Sequence, residues 1–286
     1  MASPPSMFKT PAGEARYFAA YDATLALWPT PRDAWQVPTQ FGMTHLNVCG
    51  PADAPALVLL PGAAISSTMW YPNIAALSRA HRVYALDILG DMGKSVSTRP
   101  LTTPAAFVRW LTEVFDALQL ERAPVAGISL GGFLALKLAQ AAPHRVTKLV
   151  LLSPASLLPL RPQFYGRVAA AILLPFLSPA RRQALFLGVA SPNAGPAIKQ
   201  LLTPTDFRYR MFFPRAETDA ELRSVQAPTL LLLGEREIIY APQAALRRAG
   251  RLIPKIEAAL IPGAGHAVNI DQPEEVNRRM LAFLGG

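Results

Sequence analysis

Short apolar runs recur along the chain and constrain its fold more than any other feature. Each run is continuous, without the alternation of apolar and polar residues that a half-exposed strand shows. The runs span residues 57–60, 83–86, 125–126, 146–152 and 229–233. Such runs are typical of parallel strands, because helices cover both faces of a parallel sheet. We therefore expect a sheet whose strands are mostly parallel.

The segments between these runs have helical character. Residues 104–120 follow Thr103, whose side chain suits an N-cap, and begin with Pro104, which suits the first helical position. Another helix is expected over residues 14–28, ahead of the core. Strands that alternate with helices predict an α/β fold with a doubly wound sheet.

The alternation of strands and helices is interrupted between residues 154 and 224. We interpret this proline-rich, apolar segment as a helical cap, inserted over the strand ends where open α/β sheets place ligands. Its large side chains include Phe164, Tyr165, Phe176, Phe186, Met211, Phe212 and Phe213. The predicted organisation is an N-terminal helical extension (1–36), an α/β core (37–153 and 225–286) and a cap (154–224).

Composition excludes some classes of protein. Of 286 residues, 51% are hydrophobic and 16% are charged, so the chain can bury a large core. The formal net charge of +9 would suit a nucleic-acid partner, but basic residues occur singly or in pairs. We therefore expect no nucleic-acid partner. We also expect no membrane span, because the longest apolar run, residues 169–177, is short and interrupted by Pro175.

Cysteine content and the N-terminus indicate a compartment. Cys49 is the only cysteine, so an intramolecular disulfide and a cysteine-based metal site are excluded. The first residues lack the basic start and apolar segment of a signal peptide. These features predict a cytoplasmic protein. The sequence leaves a homodimer open.

The strongest local motif surrounds Ser129. Gly127 and Gly131 flank this serine at a spacing of two residues, between the predicted strand at 125–126 and a helix running to residue 142. A nucleophile elbow needs such small residues, because its backbone turns sharply from strand to helix. The helix N-terminus also favours developing negative charge. An ordinary glycine turn is the alternative.

Nucleotide binding is rejected, because neither this motif nor residues 90–95 have the required glycine spacing.

A serine nucleophile needs a histidine as its base. His266 lies in a glycine-rich loop after the apolar segment 258–261 and before a helix expected near Pro273. This position, late in the chain and just after a strand, favours His266 as the base. We interpret His45 as a residue of an early strand, and His81 and His144 as solvated residues ahead of strands.

The acid of a triad should follow a strand end, between the serine and the histidine in chain order. Glu237 comes shortly after the predicted strand at 229–233 and is favoured. Glu235 is its near competitor, but it leaves less room for the chain to turn. Either glutamate taken alone would ordinarily be a solvated surface residue.

An acyl-transfer intermediate also needs two N–H donors for its oxyanion. The backbone N–H of Leu130, directly after the nucleophile, is one candidate. The second should come from the loop after the strand at 57–60, where we assign Ala63. A plain turn at Pro61-Gly62 is the alternative.

Together these residues make the chain resemble the bacterial carboxylesterases of the α/β-hydrolase superfamily, most closely the carboxylesterase NP (naproxen esterase) group. The resemblance spans nearly the whole chain and rests on residues 37–39, 66–73, 87–95, 127–132, 221–224, 230–240, 265–266 and 272–273. The serine, glutamate and histidine positions of the family fall on Ser129, Glu237 and His266. Pro61 departs from the family, which usually has the histidine of a His-Gly pair there.

The residues and the resemblance predict a serine hydrolase that cleaves a small apolar ester through an acyl-enzyme. No metal or organic cofactor is required. The same triad also serves lactonases, thioesterases, cofactor-free haloperoxidases and carbon–carbon bond hydrolases on this fold, which are the enzymatic alternatives. A non-catalytic small-molecule receptor that retained the fold and pocket is the alternative from another class.

Overall fold

The structure is a computed structural model that describes residues 7–174, 176–203, 207–208, 212 and 214–285. For residues 168, 171, 172, 179 and 202 it describes the backbone alone. Pro175, Met211 and Phe213, which the sequence placed in the cap, lie outside the described residues.

The sheet carries the fold, and its interior strands correspond to the apolar runs. Within the described residues the strands are β1 (Arg32–Thr39), β2 (Gly42–Cys49), β3 (Ala56–Leu60), β4 (Arg82–Leu86), β5 (Val96–Ser97), β6 (Ala123–Ile128), β7 (Val146–Leu152), β8 (Thr229–Gly234) and β9 (Ile256–Ile261). Their spatial order is β1-β2-β4-β3-β6-β7-β8-β9, and β5 pairs with β2.

Most neighbouring strands are parallel. In the spatial order β4-β3-β6-β7-β8-β9, each pair of neighbouring strands is parallel. The pairs β1–β2 and β2–β4 are antiparallel. The mostly parallel α/β sheet predicted from the apolar runs is therefore confirmed. The carboxyl ends of its parallel strands all lie at one edge, which is where ligands bind in such sheets.

Helices cover this sheet and extend beyond it. They are α1 (Pro11–Leu25), α2 (Ile74–Leu77), α3 (Pro104–Ala117), α4 (Leu130–Ala141), α5 (Pro162–Leu173), α6 (Pro179–Leu187), α7 (Gly195–Leu202), α8 (Asp219–Arg223), α9 (Pro242–Leu252), α10 (Val268–Asp271) and α11 (Pro273–Gly285). At the start of α3, Thr103 Oγ1 accepts a hydrogen bond from the N–H of Ala106 at 3.2 Å, as its predicted capping role requires.

Along the central strands, alternate side chains pack on opposite faces of the sheet and belong to different buried clusters. In β3, Leu57 and Leu59 belong to one buried cluster with α1 and α11, whereas Val58 and Leu60 belong to another with α3, α4 and α9. Both faces of the strand are therefore apolar and buried, which explains why its sequence shows no polar alternation.

Outside the central sheet, the observed bounds of individual elements differ from the predicted ones. The N-terminal helix lies at Pro11–Leu25 rather than 14–28, and β1 starts at Arg32, ahead of the predicted core boundary at residue 37. Helices α5 to α8 occupy the segment interpreted as a cap. Phe176 in that segment is 79% exposed, so it does not contribute to a buried cap interior.

Candidate active site

Ser129 occupies a strained turn between β6 and α4. Its backbone has φ 52° and ψ −114°, in the left-handed half of conformational space that side-chain-bearing residues seldom adopt. The two flanking glycines permit this turn. A Cβ on Gly127 would lie 2.2 Å from the carbonyl oxygen of Gly131, and a Cβ on Gly131 would lie 2.3 Å from that of Leu60. The local sequence therefore folds into the tight elbow that its spacing predicted.

His266 and Glu237 are brought together by the loops after β9 and β8. The Nδ1 atom of His266 lies 2.8 Å from Glu237 Oε2, although the two residues are 29 positions apart in sequence. The glutamate side chain is fully buried, and the histidine side chain is 13% exposed. The other oxygen of Glu237 accepts hydrogen bonds from the N–H groups of Ile238 at 2.7 Å and Ile239 at 3.0 Å. Three donors thus hold the carboxylate in place.

The electrostatics of this pair favour its ionic form. Burial raises the pKa of Glu237, but the charge and hydrogen bond of His266, with the N–H of Ile239, hold that pKa below its ordinary value. Burial lowers the pKa of His266, but the charge and hydrogen bond of Glu237 raise it above 6.5. The carboxylate thus stays ionised and stabilises a proton on the imidazole.

Glu235 has a different environment from Glu237. Its side chain is exposed, and Oε2 accepts a hydrogen bond from the N–H of Gly263 at 3.0 Å. This contact ties the loop after β8 to the loop that carries His266. The structure therefore pairs the histidine with Glu237 rather than with the competing glutamate.

The loop after β3 lies beside the serine. A Cβ added to Gly62 would be 3.6 Å from the Cβ of Ser129. Neither the N–H of Ala63 nor that of Leu130 has a hydrogen-bond partner among the described residues. Leu130 opens α4, where the first N–H groups have no intrahelical acceptor. Two uncommitted donors therefore flank the nucleophile position.

A cavity of about 370 Å³ opens onto Ser129 and His266. Both candidate donor residues, Ala63 and Leu130, also line it. Most of the wall is apolar. The segment 154–224, interpreted from the sequence as a cap, contributes Ala155, Leu160, Phe164, Tyr165, Phe186, Leu187, Ala197, Ile198, Leu201, Phe212 and Pro214. An apolar cavity beside a few polar groups is typical of a small-molecule site.

Helix α6 also contacts the histidine loop directly. The N–H of His266 donates to the carbonyl oxygen of Leu187, the last residue of α6, at 2.7 Å. The approach is so close that a Cβ on Gly265 would lie 2.0 Å from that same oxygen. The contact with α6 therefore requires glycine at position 265, and nothing in the sequence indicated that contact.

A second carboxylate supports the histidine loop and was not predicted. Asp271 Oδ2 accepts a hydrogen bond from the N–H of Gly265 at 2.8 Å. Burial raises the pKa of Asp271 to about 6. The residue stands just before the Gln272-Pro273 pair that the sequence singled out, but nothing in that pattern indicated its contact with the loop.

The remaining histidines lie away from this cavity, and one interpretation was wrong. His45 lies in β2, as expected, and His144 is exposed. His81 was interpreted as solvated, but it is only 6% exposed, and its Nδ1 lies 3.3 Å from the carbonyl oxygen of Leu77. Leu77 is the last residue of the short helix α2. The imidazole ring of His81 therefore lies against the C-terminal end of that helix, where it is buried.

Neither a metal-binding cluster nor a membrane-spanning helix is found in the described part of the chain. No group of three or more His, Cys, Asp or Glu side chains in it is arranged to hold a metal ion. Its helices are all too short or too polar to cross a membrane.

A strained serine at a strand–helix turn, lining the same cavity as a histidine that is paired with a carboxylate, is typical of serine hydrolases built on a parallel α/β sheet. The sequence profile of the alpha/beta hydrolase family matches residues 57–279. The chain therefore belongs to the α/β-hydrolase family, as its resemblance predicted.

Relatives within this family include named carboxylesterases of Bacillus subtilis (strain 168). Carboxylesterase YbfK is 40% identical over 286 residues, covering 95% of this chain and 94% of its own. The crystal structure of naproxen esterase (carboxylesterase NP) from B. subtilis has a TM-score of 0.86 at 37% identity, covering 96% of this chain and 99% of its own. That of carboxylesterase CesB (YbfK) has a TM-score of 0.87 at 39% identity, with the same coverage. The predicted similarity to the carboxylesterase NP group is confirmed.

Proposed function

We propose that this protein is a carboxylic-ester hydrolase that uses Ser129, His266 and Glu237 as a catalytic triad. The observation that carries the proposal is the 2.8 Å contact between His266 Nδ1 and Glu237 Oε2, at the edge of a cavity that Ser129 also lines. A buried carboxylate that orients a histidine has this role in known triads. The names of the carboxylesterase relatives support the reaction class.

The first half of the reaction forms an acyl-enzyme. His266 removes the hydroxyl proton of Ser129, and Oγ attacks the ester carbonyl carbon. The electron pair of the C=O bond moves to oxygen, where the N–H groups of Ala63 and Leu130 stabilise the charge. When the intermediate collapses, the bond to the alcohol oxygen breaks, and this oxygen takes the proton from His266.

Water completes the cycle. His266 removes a proton from water, whose oxygen attacks the acyl carbon. The same N–H pair stabilises the second oxyanion, and collapse returns the proton to Ser129 as the carboxylic acid leaves. Glu237 stabilises the imidazolium in both halves and fixes its tautomer. Every step in this scheme uses groups of the chain, the ester and water alone.

The substrate is expected to be a small apolar ester, because apolar cap residues form most of the cavity wall. Phe164, Phe186 and Phe212 line the cavity with Ser129. Burying apolar surface stabilises binding by about 25 cal/mol per Å². We therefore expect aryl and medium-chain alkyl esters to have higher kcat/KM than matched esters that carry a charge. Initial rates across such a panel measure this, and faster turnover of the charged members would show the preference to be wrong.

The same panel tests the proposed function against its alternatives. Lactones, thioesters and carbon–carbon bond substrates are assayed beside the esters, with Ser129→Ala as the background control. Ester turnover that depends on Ser129 supports the proposal, whereas preferential lactone or thioester turnover identifies another enzyme of the same class. A protein that binds esters without hydrolysing them would be the receptor. The three-part division of the chain, the homodimer and the cytoplasmic location stay predictions.

The pH dependence should report the shifted pKa of His266. Only the neutral imidazole acts as the base, so kcat/KM should rise with pH through the pKa of the free enzyme. Because Glu237 raises that pKa, the midpoint is expected above 6.5, the ordinary histidine value. A profile of kcat/KM from about pH 4.5 to about pH 9 measures it, because this range extends about two units on either side of the reference histidine pKa of about 6.5.

Asp271 provides a control for the pH profile, because its own pKa of about 6 lies in the same range. Asp271→Asn removes that ionisation and leaves the pair of His266 and Glu237 in place. The charge of Asp271 also raises the pKa of His266, but less than Glu237 does, so in this variant the midpoint should fall somewhat and the acid limb of kcat/KM should persist. Loss of the limb in Asp271→Asn would assign the midpoint to Asp271 and not to His266. A wild-type midpoint at or below 6.5 would contradict the raised pKa of His266.

A further inference from the structure

The oxyanion loop after β3, residues 61–64, contains three successive N–H groups that differ in their hydrogen-bond partners. Gly62 N–H donates to Met69 Sδ at 3.3 Å. Ala64 N–H donates to the carboxylate of Asp91, at 3.0 Å to Oδ1 and 3.2 Å to Oδ2. Ala63 N–H, between them, has no partner among the described residues. The loop is thus anchored on both sides of the one uncommitted donor.

The anchor at Asp91 coincides with backbone strain. Ala64 has φ 58°, the left-handed conformation that a residue with a Cβ disfavours. Such strain persists only where surrounding contacts hold it. Asp91 is 4% exposed, and its Oδ1 also accepts the N–H of Met92 at 2.6 Å. A carboxylate fixed in this way can hold Ala64 in the disfavoured conformation.

From these contacts we infer that Asp91 is a positioning residue, which aims the N–H of Ala63 at the oxyanion by holding the next peptide of the loop. The inference rests on the proposed function. The carboxylate that holds the loop comes from the segment after β4. Asp91 itself does not touch the reacting atoms.

Asp91 should stabilise the transition state without affecting how tightly the substrate binds in the ground state. Loss of one oxyanion donor lowers kcat by about 10²–10³-fold. Misplacing the donor without deleting it should cost less, so for Asp91→Ala we expect kcat to fall about ten- to a hundredfold. KM should change little, because the apolar cavity wall is untouched. Rates are expressed per site titrated to completion with a fluorophosphonate, which removes any effect of misfolded protein.

Inhibition by a trifluoromethyl ketone separates a positioning role of Asp91 from a purely structural one. The inhibition constant would not change if Asp91 only stabilised the fold. Ser129 adds to the carbonyl of the ketone and generates an oxyanion, so the inhibition constant depends on the two donors. We expect Asp91→Ala to raise this constant by the same factor by which kcat/KM falls. Asp91→Asn keeps an oxygen that accepts the N–H of Ala64 and should retain most of the activity and ketone affinity.

Asp87→Asn is the matched control, and an aryl ester is the substrate. Asp87 is also a buried carboxylate, but it accepts the N–H groups of Ser67 and Lys94, each at 2.8 Å, away from the oxyanion donor. Its variant should have a lower unfolding midpoint and near wild-type kcat per titrated site. Unchanged kcat in Asp91→Ala, unchanged ketone affinity, or equal losses in Asp91→Ala and Asp91→Asn would each overturn the inference. Wild-type protein without ester turnover would overturn the proposed function as well.

Discussion

Replacing Ser129 with alanine is expected to abolish ester hydrolysis while leaving the fold unchanged. Loss of the nucleophile in a comparable triad lowers kcat about a million-fold. The residual rate comes from the oxyanion donors and substrate binding, which the substitution leaves in place. Alanine keeps the Cβ of serine, so the strain of a φ of 52° is the same in both proteins. Steady-state hydrolysis of an aryl ester measures the loss, and thermal unfolding checks the fold.

Covalent labelling locates the nucleophile independently of turnover. A fluorophosphonate should add once to the wild type, at the peptide containing Ser129, and not at all to Ser129→Ala. Ser156→Ala is a suitable control, because Ser156 is buried and its hydroxyl has no partner among the described residues. That variant should label like the wild type. Full activity in Ser129→Ala, or a label on another residue, would refute the proposed mechanism.

The parts of this structure that were predictable are those whose sequence signal is local. The central strands bury both faces, so an apolar run sufficed to find β3, β7 and β8. The elbow was predictable for the same reason, since its strand, glycines and helix are contiguous. β1 gave no such signal, because its burial pattern is almost entirely exposed and its pairing with β2 supplies the hydrogen bonds.

Contacts between distant segments were not predictable from one sequence. Ala64 and Asp91 are 27 residues apart, and neither residue type indicates the other. The bond from His266 N–H to the carbonyl oxygen of Leu187 involves backbone atoms alone, so it has no side-chain signature. Chain order did predict which loops carry the histidine and its acid, because the fold places those loops at the carboxyl edge of the sheet. The same argument did not say which cap side chains line the cavity.

Glutamine at position 237 is expected to lower kcat about ten-thousand-fold, by analogy with the corresponding change in a measured triad. The amide oxygen of glutamine can still accept the N–H groups of Ile238 and Ile239, whose bonds to the glutamate are 2.7 and 3.0 Å long. Its NH₂ group then faces His266 Nδ1 and selects the tautomer that leaves Nε2 protonated. That tautomer is unable to accept the serine proton. The nucleophile and the oxyanion donors remain, so the loss is smaller than for Ser129→Ala.

Glu235→Gln distinguishes this role from a general effect of charge in the loop. Among the described residues, the side chain of Glu235 accepts a hydrogen bond from the N–H of Gly263 alone, and a glutamine oxygen preserves that contact. We therefore expect activity near wild type in Glu235→Gln and a collapse of kcat in Glu237→Gln, measured on the same ester. Unfolding midpoints of both variants exclude loss of folded protein as the cause.

The pH profile of the residual activity completes the test, because Glu237 raises the pKa of His266 through its charge. Removing that charge leaves burial as the dominant influence, and burial lowers a histidine pKa. The acid limb of kcat/KM should therefore move to lower pH in Glu237→Gln and stay in place in Glu235→Gln. If the two variants exchange behaviours, Glu235 is the acid. If neither variant changes kcat or the limb, the carboxylate at 2.8 Å from His266 holds the loop and takes no part in catalysis.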